Sequence, residues 1–232
     1  MIFREKFKTL KNVFDLSTEA SLFKLISQGH LEGLESPISI GKEANIFTAI
    51  TKQNERRIVK IYRTSVCDFN RMYSYIAADP RFPSVKRSRR QVVFAWAQRE
   101  YRNLMLAREA GVRCPLAFAC AANVLVMEFL GDDVPAPKLK DAFPTDMNSF
   151  FDDVVQNMRK LHKADLVHGD LSPFNILNLH EKPYFIDFSQ TTTFENPNAQ
   201  MYLERDIRNV CSFFRKQGLS VDEKATHKKV TD

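Results

Sequence analysis

The sequence has no run of about 18 apolar residues, the length at which a helix spans a bilayer, so membrane-spanning helices are excluded. It has no secretory h-region either, because MIFREKFKTLKNVF alternates charged and apolar residues too closely. Its four cysteines, Cys67, Cys114, Cys120 and Cys211, form no CxxC pair and no zinc spacing. Reduced buried thiols and a cytoplasmic chain are expected from that. Internal repeats and low-complexity tracts are also missing, which sets aside solenoids and disordered linkers. What is present is ordinary for a globular protein: 44% hydrophobic and 27% charged residues in 232, enough for one large domain or two lobes. The net charge of +6 suggests an acidic partner. Lys86, Arg87, Arg89 and Arg90, crowded into SVKRSRR, read either as a solvated loop or as a contact to a phosphate backbone.

The spacing predicts a helix over residues 18–28 with Leu22, Phe23 and Ile26 on its inner face and Gly29 ending it. From Ser36 the pattern becomes alternating. SPISIGKEANIFTAI, the polar turn KQNERR and IVKIYR predict a three-strand antiparallel meander. Residues 64–88 read as an irregular flexible loop carrying Pro80, Pro83 and the basic cluster. A helix follows over 91–110, stopped by Gly111, and ANVLVMEFLG (122–131) reads as a buried strand. After a polar connector, residues 146–163 form an amphipathic helix with Phe150, Phe151, Val154, Met158 and Leu161 inward. PYFIDF (183–188) is a short strand, and a last helix near 199–217 precedes a polar tail. The order is strands with one helix, then mostly helices, so the fold class is α+β in two unlike lobes, residues 1–127 and 128–232.

Two constellations carry chemistry. In LVHGDLSPFNIL (166–177) an Asp precedes an Asn by five residues, and the strand PYFIDF brings Asp187. Magnesium prefers hard oxygen ligands and takes one or two from protein beside substrate phosphates. Asn175 and Asp187 face one volume if their segments pair as a hairpin through NLHEKP, leaving Asp170 to accept a hydrogen bond from an attacking hydroxyl or water. The second constellation is Lys60, mid-strand, and Glu100, which shares a helical face with Val93, Trp96 and Leu104. Two buried charges need each other, because unpaired burial costs several kcal/mol.

Lys on a strand, Glu on the next helix, HGDxxxxN and a strand ending in Asp resemble the protein-kinase catalytic set. More narrowly, the chain resembles the first subfamily of the RIO family of atypical serine protein kinases, in the compact form typical of archaea. The motifs are SIGKEANIF (39–47), VKIYRTS (59–65), WAQREYRNL (96–104), VMEFLG (126–131), LVHGDLSPFNIL, FIDFSQ (185–190) and RDIRNV (205–210). They run over nearly the whole chain. The resemblance implies a bilobal protein-kinase-like fold with a strand-rich N-lobe and a reduced helical C-lobe. It implies ATP with Mg²⁺ (or Mn²⁺), Lys60 on the α- and β-phosphates anchored by Glu100, and Asp170 as catalytic base or positioning carboxylate. Asn175 and Asp187 would hold the metal. Ser39, Ile40 and Lys42, with nearby backbone N–H groups, would meet the triphosphate, with Ser172 also at the nucleotide. Met127 would be the gatekeeper, and the backbones of Glu128 and Leu130 would read adenine. Asp206 would brace the catalytic loop.

Departures are informative. SIGKEA has one glycine, Gly41, where kinases have a Gly-rich loop, and Gly169 stands where many relatives have Ala, so either small residue is expected to fit there. Ser189 replaces the glycine that permits a positive-φ flip. Only 45 residues follow Asp187, with no APE-like segment and no room for a peptide-docking subdomain. The expected protein is an ATP- and Mg²⁺-dependent serine kinase and ATPase that phosphorylates itself, at Ser65, Ser84 or Ser88 or transiently at Asp187. Its implied partner is the maturing small ribosomal subunit, protein and RNA. A small-molecule phosphotransferase of the aminoglycoside or choline kinase type shares HGDxxxxN, and a nucleotide-gated RNA-binding module with little turnover is the third reading.

Overall fold

The computed structural model describes residues 14–65 and 67–232, so the signal-sequence reading of residues 1–13 lies outside it. The chain forms two compact units. The first comprises the described residues up to Ile76, Ser84–Tyr101 and Ala117–Phe129, and the second Ala77–Pro83, Arg102–Leu116 and Leu130–Asp232. That interleaved division differs from a single cut after residue 127.

The first unit is built on a five-stranded antiparallel sheet. Helix α1 (Leu16–Ser27) precedes it, capped by Asp15, whose carboxylate accepts the Thr18 N–H at 2.7 Å. Gly29, at φ 82°, takes the left-handed conformation that ends the helix. Its buried face is Thr18, Ser21, Leu22 and Leu25. Phe23, expected inside, is 71% exposed, since it lies a full residue step around the helix from Leu22. Strands β1 (Gly33–Ile40), β2 (Ala44–Ile50) and β3 (Arg56–Tyr62) form the expected meander. β4 (Ala117–Ala121) and β5 (Val124–Glu128) complete the order β1-β2-β3-β5-β4. The sequence reading missed β4 because AFACA carries no polar alternation. Leu22, Leu25, Phe47, Val59, Ile61, Val124 and Val126 form one cluster on one sheet face. Lys60 and Tyr62 alternate with Val59 and Ile61 along β3, as strand pleating requires.

Residues 64–88 are not irregular throughout. Phe69–Ala77 forms helix α2, with Met72 and Ile76, four apart, buried on one side. Helix α3 (Arg89–Glu109) then contributes its residues up to Tyr101 to the first unit and the remainder to the second.

The second unit contains α4 (Met147–Lys163), with Phe150, Phe151, Val154, Met158 and Leu161 buried as expected. Two antiparallel pairs follow, β6 (Leu166–Val167) with β9 (Thr192–Thr193) and β7 (Ile176–Leu179) with β8 (Lys182–Phe185). His180 and Glu181 join β7 to β8 at φ 50° and 61°, the sign that a type I′ turn needs at both central residues. Helix α5 (Ala199–Lys216) runs as anticipated. The polar tail is helical instead: Asp222 caps α6 (Glu223–Thr231), which packs on α4 and α5 through buried Thr226 and Val230. One large apolar residue in that stretch gives too little periodicity to see. No helix among the described residues is long and apolar enough to cross a membrane, and all four cysteines are free.

Leu25 is fully buried where Phe23 is not. Leu25→Ala is therefore expected to cost about 2–5 kcal/mol of unfolding free energy, as buried leucine truncations do. Phe23→Ala should change it by under about 0.5 kcal/mol. Urea denaturation measures both, and equal losses would contradict the helix orientation.

Candidate active site

In the first unit, Lys60 on β3 is 7% exposed and Glu100 on α3 is 1% exposed. Lys60 Nζ donates to Glu100 Oε1 at 2.9 Å, the pairing that burial of both charges demands. The Tyr62 hydroxyl, two residues along the same strand face, donates to the other carboxylate oxygen. Sequence reasoning gave Tyr62 no role, although its spacing from Lys60 places both on one side of β3. Cys120 feels the same carboxylate: desolvation first, and Glu100 second, push its thiol up to about 12. It is therefore no thiolate at neutral pH.

The β1–β2 turn region carries Ser39, Ile40 and Lys42, all exposed. Gly41 donates its N–H to the Ala44 carbonyl at 3.0 Å, and its own carbonyl accepts from Arg63 at 3.3 Å. A Cβ at Gly41 would stand 2.8 Å from the Ala44 oxygen, so glycine here serves a tight turn rather than a loose flap. Met127, 8% exposed on β5, pairs across to Ile58, and Glu128 ends the strand. In the basic stretch, Arg89 donates to the Ser65 carbonyl at 3.0 Å and Arg90 to the Ser17 hydroxyl at 3.0 Å. Arg87 lies over Tyr73. Ser65, Ser84 and Ser88 are exposed, and Ser88 Oγ accepts the Gln91 N–H at the start of α3.

In the second unit, the loop after β6 is held from α5. Asp206, 1% exposed, accepts the Gly169 N–H at 2.7 Å and the Leu171 N–H at 2.9 Å, clasping the peptides on both sides of Asp170. Arg205 donates to the Gly169 carbonyl and Asn209 to the Leu171 carbonyl. Gly169 sits at φ 77°, and a Cβ there would meet the Gln190 carbonyl at 2.9 Å, so, against the expectation that either small residue fits, the turn admits glycine and strains alanine.

Asn175 donates its amide to the Asp170 carbonyl at 2.8 Å and to Asp170 Oδ2 at 3.3 Å. With the nitrogen thus engaged, its Oδ1 is the group that suits a cation. The hairpin supplies the rest of the arrangement. Ile176 pairs with Phe185, and the Ile186 N–H donates to the Asn175 carbonyl at 3.0 Å, so Asp187 is the next residue beyond. Ser172 lies within the loop, its carbonyl accepting the Asn175 N–H, and Leu130 begins the unit's last segment with its carbonyl bound to the Ala136 N–H.

Asp187 itself adopts φ 63°, ψ 68°, a left-handed conformation costing an L-residue of order 1–2 kcal/mol. The positive φ falls on Asp187, not on Ser189, whose hydroxyl donates to Asp187 Oδ1 at 2.8 Å. Hard oxygens from Asn175 and Asp187 form a donor set of the kind Mg²⁺ takes. His168 is buried with Nε2 3.1 Å from the Ile186 carbonyl, and desolvation pushes its pKa down to about 4.

Burial acts oppositely on Asp206, pushing it up to about 7 despite the Leu171 and Gly169 N–H groups. An acid raised in the fold binds more protons than the unfolded chain between about 4 and 7, so its contribution to stability falls as pH rises through that window. A base lowered in the fold does the reverse, so the His168 contribution grows from about pH 4 to 6.5. The two offset each other in wild type. Asp206→Asn removes one arm, and its unfolding midpoint should climb with pH between 4 and 6.5 more steeply than wild type. Thermal melts across pH measure this, and parallel profiles would refute it.

The chain is similar to known proteins in sequence and in fold. A family model described as RIO domain matches residues 45–228. The RIO-type serine/threonine-protein kinase Rio1 of Methanocaldococcus jannaschii is 43% identical over 99% of this chain and 79% of its own. The protein of the same name from Haloferax volcanii is 41% identical over 98% of this chain and 79% of its own. The human serine/threonine-protein kinase RIO1 is 37% identical over 92% of this chain, which spans 39% of it. Among solved structures, the Rio2 kinase of Chaetomium thermophilum superposes with a TM-score of 0.70 at 22% identity, over 90% of this chain and 66% of that one. A second structure of it, an ADP/Mg²⁺-phosphoaspartate complex, gives 0.69, also at 22% identity, over 91% and 66%. These structural likenesses establish a kinase-like fold with a sheet-based and a helical part.

Proposed function

The chain belongs to the RIO domain family of serine/threonine-protein kinases, and from that premise we propose that it transfers the γ-phosphoryl group of ATP to serine hydroxyls. Water and its own side chains are the further acceptors, which makes it an ATPase and an autophosphorylating kinase. The carrying observation is the loop of the second unit. Asp170 is flanked by two peptides bound to Asp206, with Asn175 hydrogen-bonded to it and Asp187 one residue beyond the hairpin pair.

The roles follow from the chemistry of each side chain. Asp170 orients the incoming hydroxyl or water and accepts its proton as the oxygen attacks phosphorus and the bond to ADP breaks. Its backbone is already ordered by Asp206, so little reorganisation attends the step. Lys60, oriented by Glu100, serves the α- and β-phosphates. Ser39, Ile40 and Lys42 serve the triphosphate, Ser172 the nucleotide, and Met127, Glu128 and Leu130 the adenine. Asn175 and Asp187 would hold Mg²⁺ or Mn²⁺, which supplies charge neutralisation at the phosphates when bound. The phosphoaspartate in the Chaetomium thermophilum complex belongs to that Rio2 kinase. Its occurrence there supports Asp187 as a transient phosphate acceptor here.

We place this activity in the cytoplasm, on maturing small ribosomal subunits, with Lys86, Arg87, Arg89 and Arg90 facing RNA phosphates. Free thiols at all four cysteines fit a reducing compartment. Protein-kinase names among the relatives favour this over a small-molecule phosphotransferase.

Incubating the pure chain with γ-labelled ATP should label serine, and Asp187 as an acyl phosphate that hydroxylamine removes. Asp170→Ala should lower turnover by about 10²–10⁴-fold, the usual worth of a positioned base. The same variant, given ATP, should sediment with precursor small subunits more than wild type. No label and no phosphate release from wild type would remove the enzyme reading, and release without sedimentation would remove the ribosomal one.

A further inference from the structure

Asp187 holds a strained backbone conformation, and something must over-determine it. The Ser189 hydroxyl reaches its carboxylate, but nothing in the proposed roles accounts for the peptide path beyond. That path is a short 3-10 turn, Phe188–Gln190, closed by the Thr191 N–H donating to the Phe188 carbonyl at 3.2 Å.

Both carbonyls bordering that turn are taken by one side chain of the same unit. Asn103, on α3 and fully buried, donates Nδ2 to the Phe188 carbonyl at 2.9 Å and to the Thr191 carbonyl at 2.8 Å. Its two amide hydrogens are thereby used. Its oxygen is used as well, accepting from Arg81 Nη1 at 2.9 Å. Arg81 is in turn gripped by Asp79, with Nε to Oδ1 at 2.9 Å and Nη2 to Oδ2 at 2.7 Å. The Asp79 carboxylate is fully buried and also accepts the Arg81 N–H at 3.1 Å.

The chain of contacts has one orientation. A guanidinium on the amide oxygen turns the nitrogen towards the two carbonyls, and a flipped amide would set its oxygen against both carbonyls and its N–H groups against those of the guanidinium. Asp79 prevents the guanidinium from swinging away, since the bidentate fork fixes its plane. Hydrogen bonds made in a buried site are costly to leave unmade, so the turn after Asp187 has little freedom to relax. The left-handed Asp187 is pinned on its far side by a residue that lies far earlier in the sequence.

We infer that Asn103, oriented by Arg81 and Asp79, is a positioning residue that sets the direction in which Asp187 presents its carboxylate; this rests on the metal-holding role proposed for Asp187. None of the three touches the reacting groups. Outer residues that orient a metal-binding carboxylate typically change metal affinity by about 10–100-fold when replaced. Asn103→Asp is the discriminating variant. It keeps an oxygen for Arg81 but has no N–H for the Phe188 and Thr191 carbonyls.

The test is direct binding of Mn²⁺ to the full chain at saturating ADP, read from the loss of the free-ion EPR signal. Asn103→Asp should raise the Mn²⁺ dissociation constant about tenfold, and Arg81→Lys, which keeps the charge but not the fork, should raise it in the same direction. ADP binding without metal, measured in EDTA, should stay within about twofold of wild type for both. Should Asn103→Asp fail to fold, Arg81→Lys carries the decision alone. Folded variants that melt earlier yet bind Mn²⁺ as wild type does would reduce the network to a structural one and overturn the inference. Asp187→Asn is the control: if it binds Mn²⁺ like wild type, the metal reading of Asp187 fails, and the inference with it, for a reason the other variants do not share.

Discussion

The second unit turns on a carboxylate whose two oxygens are both taken by backbone N–H groups. Asp206 is buried on α5 and accepts the N–H groups of Gly169 and Leu171 at 2.7 and 2.9 Å. A carboxylate in that position has desolvation against it, and the two peptide donors return only part of what water offered. What it obtains is directional: the peptides before and after Asp170 lie in planes set by a helix rather than by the loop. Arg205 and Asn209, its neighbours on α5, take the carbonyls of Gly169 and Leu171. One turn of α5 thus satisfies four backbone groups of a segment that has almost no regular structure of its own, as buried peptide groups require.

The first unit solves a different problem, a charge inside a sheet-and-helix layer. Lys60 must be on the face opposite Val59 and Ile61, and α3 brings the Glu100 carboxylate to meet it there. The Tyr62 hydroxyl completes that carboxylate, so each of its oxygens has a donor instead of facing apolar atoms. Such pairs contribute less to net stability than their Coulomb attraction suggests, because both ions gave up their hydration. Their effect is to hold an ammonium group in one direction.

Much of this is legible in the residues themselves, and the reasons differ from place to place. The meander, the hairpin through NLHEKP and the helices around Phe150 and Ile207 rest on strong period-two or helical spacing. The Lys60–Glu100 pair is readable because two charges sit amid apolar stripes. Helices α2 and α6 escape because Met72 with Ile76, or Val230 alone, give too short an apolar signal. Strand β4 escapes because alanines show no preference for either face. Phe23 is misplaced since two adjacent apolar residues leave the helix phase open by a full residue step. Asn103 lies within WAQREYRNL, yet nothing in that motif gives it a role. An amide whose partners are 85 and 88 residues away has no local mark.

The turn at Gly41 bears on how the proposed nucleotide contact could be altered. Its own N–H is engaged by Ala44 and its carbonyl by Arg63, and the exposed Ser39 and Lys42 side chains flank it, so under the role proposed for them a triphosphate would meet a hydroxyl and an ammonium beside the remaining main-chain donors. A cradle of amides is indifferent to side-chain chemistry and cannot be edited after synthesis. A grip made by a hydroxyl and an amine can: acylating Lys42 would erase its charge, and esterifying Ser39 with phosphate would invert the local sign. With a single glycine at this turn, the proposed contact thus includes side chains that covalent chemistry is able to rewrite.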